Sequence, residues 1–249
     1  MLKVVNKLKE IRSKVDMNDR FKFDFSLKDE SIFNSKEKEE LDGKKIYDKN
    51  ILLKKIVCEK YKKNADNSEL DFWLINNWGG IKSFKSNTKN IKKIDRFKKE
   101  IKGCKSMLVD SFNTISSLSK VASFMSPEDF VIYDARVIYS LNWLIFSTND
   151  SDLQNSNKYF PIPNGRNSKL SQYDMKTILN IGHNINVKGG EDELYYRKNV
   201  AYFEYCNFIK ENVEEILGAG AKPYQLEMLL FVISEEEIYN EIIKLDFIK

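Results

Sequence analysis

Hydrophobic and polar positions along this chain follow two periods, and the helical one dominates. Residues 2–15 carry a charged amphipathic helical pattern. Phe21, Phe23, Phe25 and Leu27 then alternate with Lys22, Asp24 and Ser26, a period of two that predicts a strand. Polar residues fill 28–45 and read as loop. Helical spacing resumes near Asp48 and runs through Tyr61, with Ile51, Leu52, Ile56 and Tyr61 as the inward positions. A further helix starts at Asn67-Ser68-Glu69 and carries Leu70, Phe72, Trp73 and Ile75 to Trp78, where Gly79-Gly80 stops it. Ile91, Ile94, Phe97 and Ile101 keep helical spacing through the lysine-rich stretch 82–105. Two short helices around a serine-rich turn fill 106–125, and another helix runs from Asp134 to about Phe146. A long polar connection spans 147–170, and helices follow over 171–183, 192–217 and 222–246. The predicted fold is mainly α with a minor N-terminal β element. An extension over 1–45 holds the strand, and a helical region covers 46–249.

Composition narrows the chemistry. The 249 residues are 42% hydrophobic, enough for a sizeable core, and the net charge is only +4, so any nucleic-acid footprint must be local. Three scattered cysteines and a single histidine, His183, argue against a disulfide framework and against a zinc site. No metal is expected. No apolar run is long enough to span a bilayer, and the first ten residues lack a signal-peptide core. The expectation is a cytoplasmic monomer with no membrane partner.

The most informative stretch is Ile115-Ser-Ser-Leu-Ser-Lys-Val-Ala-Ser-Phe-Met-Ser-Pro-Glu-Asp-Phe-Val-Ile-Tyr-Asp-Ala-Arg-Val137. Lys120 lies among Val121, Ala122, Phe124 and Met125, where burial would disfavour its charged form and free an amine for nucleophilic attack. Ser126-Pro127 breaks the helix, and Asp134 follows Val131-Ile-Tyr at an N-cap position. A carboxylate there would stabilise nearby positive charge. The plain alternative is a lysine stem lying on apolar surface and an aspartate that only caps.

Ser119-Lys120-Val121-Ala122 and Ile132-Tyr133-Asp134 resemble the catalytic core of helix-hairpin-helix DNA glycosylases, in particular their 8-oxoguanine DNA glycosylase-like branch in bacteria. The resemblance implies a helix-hairpin-helix glycosylase-like bundle, with Lys120 as nucleophile and Asp134 as catalytic aspartate. Tyr224-Gln-Leu-Glu-Met-Leu-Leu-Phe231 is similar to the family's late helix, with Glu227 in place of its amide and Phe231 as the stacking aromatic. The family's glycine-rich hairpin is replaced by Ile115-Ser-Ser-Leu-Ser119. The implied partner is double-stranded DNA with a damaged or modified base, flipped into a pocket. A Schiff base on Lys120 would also permit strand cleavage at an abasic site. No metal or soluble cofactor is implied.

Around that core, Ser116, Ser117, Ser119, Arg136 and Arg166 are expected on DNA, and Asn167 and Trp73 beside the base. Each has a structural alternative: Trp73 as core, and Tyr159-Phe-Pro-Ile-Pro-Asn-Gly-Arg-Asn167 as a packed connector. Two rival functions remain open. One is a defence glycosylase acting on modified phage bases. The other is a non-catalytic DNA-binding module of the same fold.

Overall fold

A computed structural model describes residues 1–27, 31–103, 105–148, 158–163, 170, 172–182 and 194–244. Among them the chain is mainly helical with no strand, the sole β contact being an isolated bridge between Tyr159 and Tyr195. Helix α1 (Leu2–Arg12) buries Val4, Val5, Leu8 and Ile11. Its apolar stripe packs on α9 (Ala135–Thr148) and α11 (Lys198–Leu217). The short α2 (Met17–Arg20) is capped by Asp16, whose side chain accepts the Asn18 N–H.

Residues 21–27, where the alternation predicts a strand, belong to no strand and form no ladder, though their buried positions alternate. Phe21, Phe25 and Leu27 point inward. The neighbour is a helix instead of a strand. Asn50 Nδ2 donates to the Phe23 carbonyl at 2.8 Å, and Lys49 Nζ donates to the Phe25 carbonyl at 2.7 Å. Both donors come from α4 (Ile46–Lys63). Backbone groups that a sheet would pair are thus answered by side chains.

The polar stretch expected to be loop contains α3 (Ser35–Asp42). Asn34 accepts the Glu37 N–H while the Glu37 carboxylate accepts the Asn34 N–H, a reciprocal cap. Only Leu41 of this helix is buried, so it offers little apolar periodicity to read. The buried face of α4 is also shifted from expectation. It holds Asn50, Leu53, Lys54, Val57 and Tyr61, while Ile51, Leu52 and Ile56 are half-buried.

Helix α5 (Ser68–Trp73) continues through one wider turn, Leu74–Trp78, closed by the Gly79 N–H on the Leu74 carbonyl. Helix α6 (Thr88–Gly103) buries Ile94, Phe97 and Ile101. Helix α7 (Val109–Phe112) turns at residues 113 and 114 into α8 (Ile115–Met125). Residues 115–119 are therefore the first turns of α8 and not a hairpin loop. Helix α10 (Met175–Gly182) packs on α9. Helix α12 (Pro223–Ile233) lies against both α9 and α11, then continues through Ser234–Ile238 into α13 (Tyr239–Ile242).

One buried ion pair ties the α5–α6 layer. Lys98 Nζ donates to Asp71 Oδ2 at 2.8 Å, and Tyr61 Oη donates to Asp71 Oδ1 at 2.6 Å. Lys98→Met is expected to destabilise the fold by about 3 kcal/mol, because Asp71 stays buried without its cation. Urea unfolding of this variant, beside Lys98→Met/Asp71→Asn, checks it. The double variant should recover part of the loss.

Candidate functional site

Helix α8 is buried on nearly every face, and Lys120 stands in its middle at 6% exposure. Its stem runs back along the helix, and Nζ donates to the Ser116 carbonyl one turn earlier at 2.7 Å. The stem needs the neighbouring glycine. A Cβ on Gly79 would lie 2.5 and 2.6 Å from Lys120 Cδ and Cε, and 2.8 Å from the rigid Leu74 carbonyl. Burial pushes the Lys120 amine below its ordinary value, against the opposing pull of Asp134 and Glu227. The fraction of neutral amine near pH 7 is raised accordingly.

Asp134 is brought to the same pocket, close enough for its charge to act on this amine, by a local device. The Ser126 N–H closes α8 on the Ala122 carbonyl, and Phe130–Tyr133 returns as a non-helical segment. Ser119 Oγ, fully buried, accepts the Tyr133 N–H at 3.0 Å and pins the returning segment to α8. Asp134 comes next. Its Oδ1 accepts the Val137 N–H at 3.0 Å and caps α9.

Lys120 and Asp134 lie where two cavities meet. The narrow one, about 80 Å³, is lined by Phe21, Phe23, Trp78, Met228 and Phe231 together with Lys54, Gly79, Ile132 and Glu227. Glu227 and Phe231 are one turn apart on α12, so they share its inner face. Phe23 meets Trp78 edge-on at 5.0 Å and Phe231 edge-on at 6.1 Å, giving aromatic walls. Lys54 is fully buried, donates to Ser123 Oγ at 2.5 Å and sits 4.2 Å over the Phe124 ring. Burial lowers its amine to about 8, with Glu227 opposing. Burial raises the Glu227 carboxyl to about 7, with Lys54 opposing most strongly.

The second cavity is a broad cleft of about 1720 Å³. Ser116, Ser117 and Arg136 line it near Lys120, and Lys82, Lys176, Arg197 and Lys198 carry charge along it. With Lys120 the lining holds six basic residues against Asp134 and Asp174, so the weak positive balance of the chain is concentrated here. Of the lysines in 82–105, only Lys82 lines the cleft. Residues 161–163 form part of its wall and are also packed as a connector. Asn142 holds both backbone groups of Phe160 at 2.8 Å, and Tyr133 Oη donates to the Pro161 carbonyl at 2.7 Å.

Of the residues singled out in the sequence, Lys120, Asp134, Glu227 and Phe231 line one pocket. Trp73 does not join them. It is buried against Phe25 and Phe33, and the pocket wall is Trp78, whose Nε1 donates to Asn50 Oδ1 at 3.0 Å. Ser119 is likewise too deep to meet DNA and acts as the pin described above. Arg136 stacks 4.7 Å from the Phe231 ring centre and pairs with Glu235 at 2.8 Å, at the rim shared by pocket and cleft. Arg166, Asn167 and His183 lie outside the described residues. Sequence reasoning missed Lys54 and the packing of the Lys120 stem against Gly79. Lys54 had a signal, since it falls on the same helical stripe as Asn50, Leu53, Val57 and Tyr61. Among the described residues no cluster of side chains could hold a metal ion. No helix of these residues is long and apolar enough to cross a membrane. No family model, no curated protein and no solved structure matches the chain.

Proposed function

We propose that this protein is a DNA glycosylase that flips a damaged or modified nucleotide and attacks its sugar with Lys120. The observation carrying this reading is the position of Lys120 and Asp134 at the junction of an aromatic-walled pocket and a broad basic cleft. A duplex tracked by Lys82, Lys176, Arg197 and Lys198 presents phosphates along such a cleft. A base turned out of the stack enters the pocket, and its C1′ then sits at the junction, beside the amine. The Lys120 lone pair attacks C1′ as the base departs, and the Asp134 carboxylate stabilises the oxocarbenium charge that develops. Phe231 and Trp78 offer faces for the base, and the first turn of α8, with Ser116 and Ser117, offers polar groups to a phosphate. The resemblance of Ser119–Ala122 and Ile132–Asp134 to the helix-hairpin-helix glycosylases supports the same chemistry.

Borohydride trapping tests it, on duplexes carrying 8-oxoguanine, an abasic site or bulky modified cytosines. A covalent adduct that Lys120→Gln does not form is the expected result. DNA binding with no adduct on any duplex would overturn the reading in favour of a non-catalytic module. A second variant probes placement alone. Gly79→Ala forces the Lys120 stem to shift, so trapping is expected to slow by about 10²-fold. Binding to an abasic duplex, read by gel shift, should stay near wild type.

A further inference from the structure

We infer that Glu227 is a second catalytic residue, the general acid that protonates whatever leaves C1′ while Lys120 attacks. The inference rests on the glycosylase reading and extends it from the nucleophile to the leaving group. A departing base is a poor leaving group unless it is neutralised, and a positioned acid of suitable strength typically contributes about 10²–10⁴-fold.

Glu227 meets the geometric requirements. It is 4% exposed, it lines the pocket that would hold the base, and its Oε2 has no hydrogen-bond partner. A buried carboxyl oxygen without a partner is costly as an anion, so the site favours the protonated form until a ligand arrives. Asp134 is differently engaged, with one oxygen committed to the cap of α9. The two carboxyl groups thus divide into an acid facing the base and a charge stabiliser facing the sugar.

Every packed element bears on Glu227. Lys54 faces it from α4, Lys120 from α8 and Asp134 from the head of α9, while the Ile132 N–H approaches from the returning segment. Tyr202 and Tyr205 of α11 also feel its charge. Burial outweighs the attraction of Lys54, and the carboxyl titrates at about 7, so a useful fraction carries its proton at neutral pH.

The step balances. The Lys120 lone pair forms the new C1′–N bond, and the electron pair of the breaking bond goes to the base. The base takes the Glu227 proton and departs neutral. Glu227 remains as a carboxylate facing the Lys54 ammonium, and the positive charge ends on the Lys120 nitrogen. At an abasic site the same proton turns the departing C1′ hydroxyl into water. No oxidant, metal or cofactor enters.

The abasic duplex is therefore a probe that works whichever base is excised. Adduct formation would be timed under single-turnover conditions with cyanoborohydride, from about pH 5.5 to about pH 9, for wild type, Glu227→Gln, Lys54→Met and Lys120→Gln. The wild-type rate should climb to a plateau near pH 7 and fall once both groups are deprotonated. Glu227→Gln should be about 10²-fold slower at neutral pH and lose the alkaline fall, rising until Lys120 is neutral. Lys54→Met removes the cation that favours the carboxylate, so the start of its plateau should move to higher pH. A Glu227→Gln rate and profile equal to wild type would overturn the inference while leaving the glycosylase reading intact. A wild-type protein that forms no Lys120-dependent adduct would overturn both.

Discussion

Lys120→Gln is expected to abolish covalent trapping, a loss of about 10³-fold or more, with little change in affinity for DNA. Glutamine has no nucleophilic amine, so no Schiff base forms. Binding should persist because the exposed cations of the cleft, Lys82, Lys176, Arg197 and Lys198, are untouched. Stability decides what kind of residue Lys120 is. Glutamine can still donate to the Ser116 carbonyl, and the substitution removes a buried amine that loses solvation when charged. The melting temperature should therefore hold or rise. A lysine kept for packing would give the opposite pattern, a lower melting temperature with trapping preserved. The pH response follows from the same burial. The amine is lowered from its ordinary value, so the attacking form becomes abundant at lower pH than for an exposed lysine.

Asp134→Asn is expected to slow trapping by about 10²-fold, the scale found when a group that stabilises transition-state charge is removed. Asparagine is as good an N-cap as aspartate, so α9 should keep its start and its stability. Asp134→Ala should lose the same activity and also about 1 kcal/mol of stability, because the Val137 N–H loses its acceptor. Parallel trapping rates and urea curves for the two variants separate charge from cap. Equal rates for wild type and Asp134→Asn would leave Asp134 with the cap alone.

The parts of the site that were legible lie where local pattern and burial agree. Lys120 sits inside an apolar run, and Asp134 follows a β-branched and aromatic run at a helix start. Both patterns survive folding unchanged. Glu227 and Phe231 are one helical turn apart, so their shared face follows from the period. Lys54 is hard to read because the buried face of α4 includes three polar residues, Lys49, Asn50 and Lys54, while the more apolar Ile51, Leu52 and Ile56 lie beside it. Hydrophobicity alone points to the wrong face there. Trp73 and Trp78 stand on either side of the wider turn at Leu74–Trp78, which changes the rotation per residue between them. A constant helical period puts residues five apart on different faces, about 140° from one another, and does not say which of the two meets the pocket. The alternation over 21–27 matches which side chains are buried, but the segment pairs with no strand. Its two bonded carbonyls are met by Asn50 and Lys49, which no strand rule anticipates.

The pocket is assembled from remote parts of the chain. Phe21 and Phe23 form one wall, and Glu227, Met228 and Phe231 form another. Arg20 holds Glu237 at 2.9 Å, fastening the two regions together. Ribosomal synthesis runs in one direction, so the nucleophile on α8 leaves the tunnel more than a hundred residues before the wall on α12. A growing chain therefore carries the reactive amine without a chamber to aim it. On the proposed function, translation itself acts as a safety interlock, withholding the proposed chemistry from every unfinished copy.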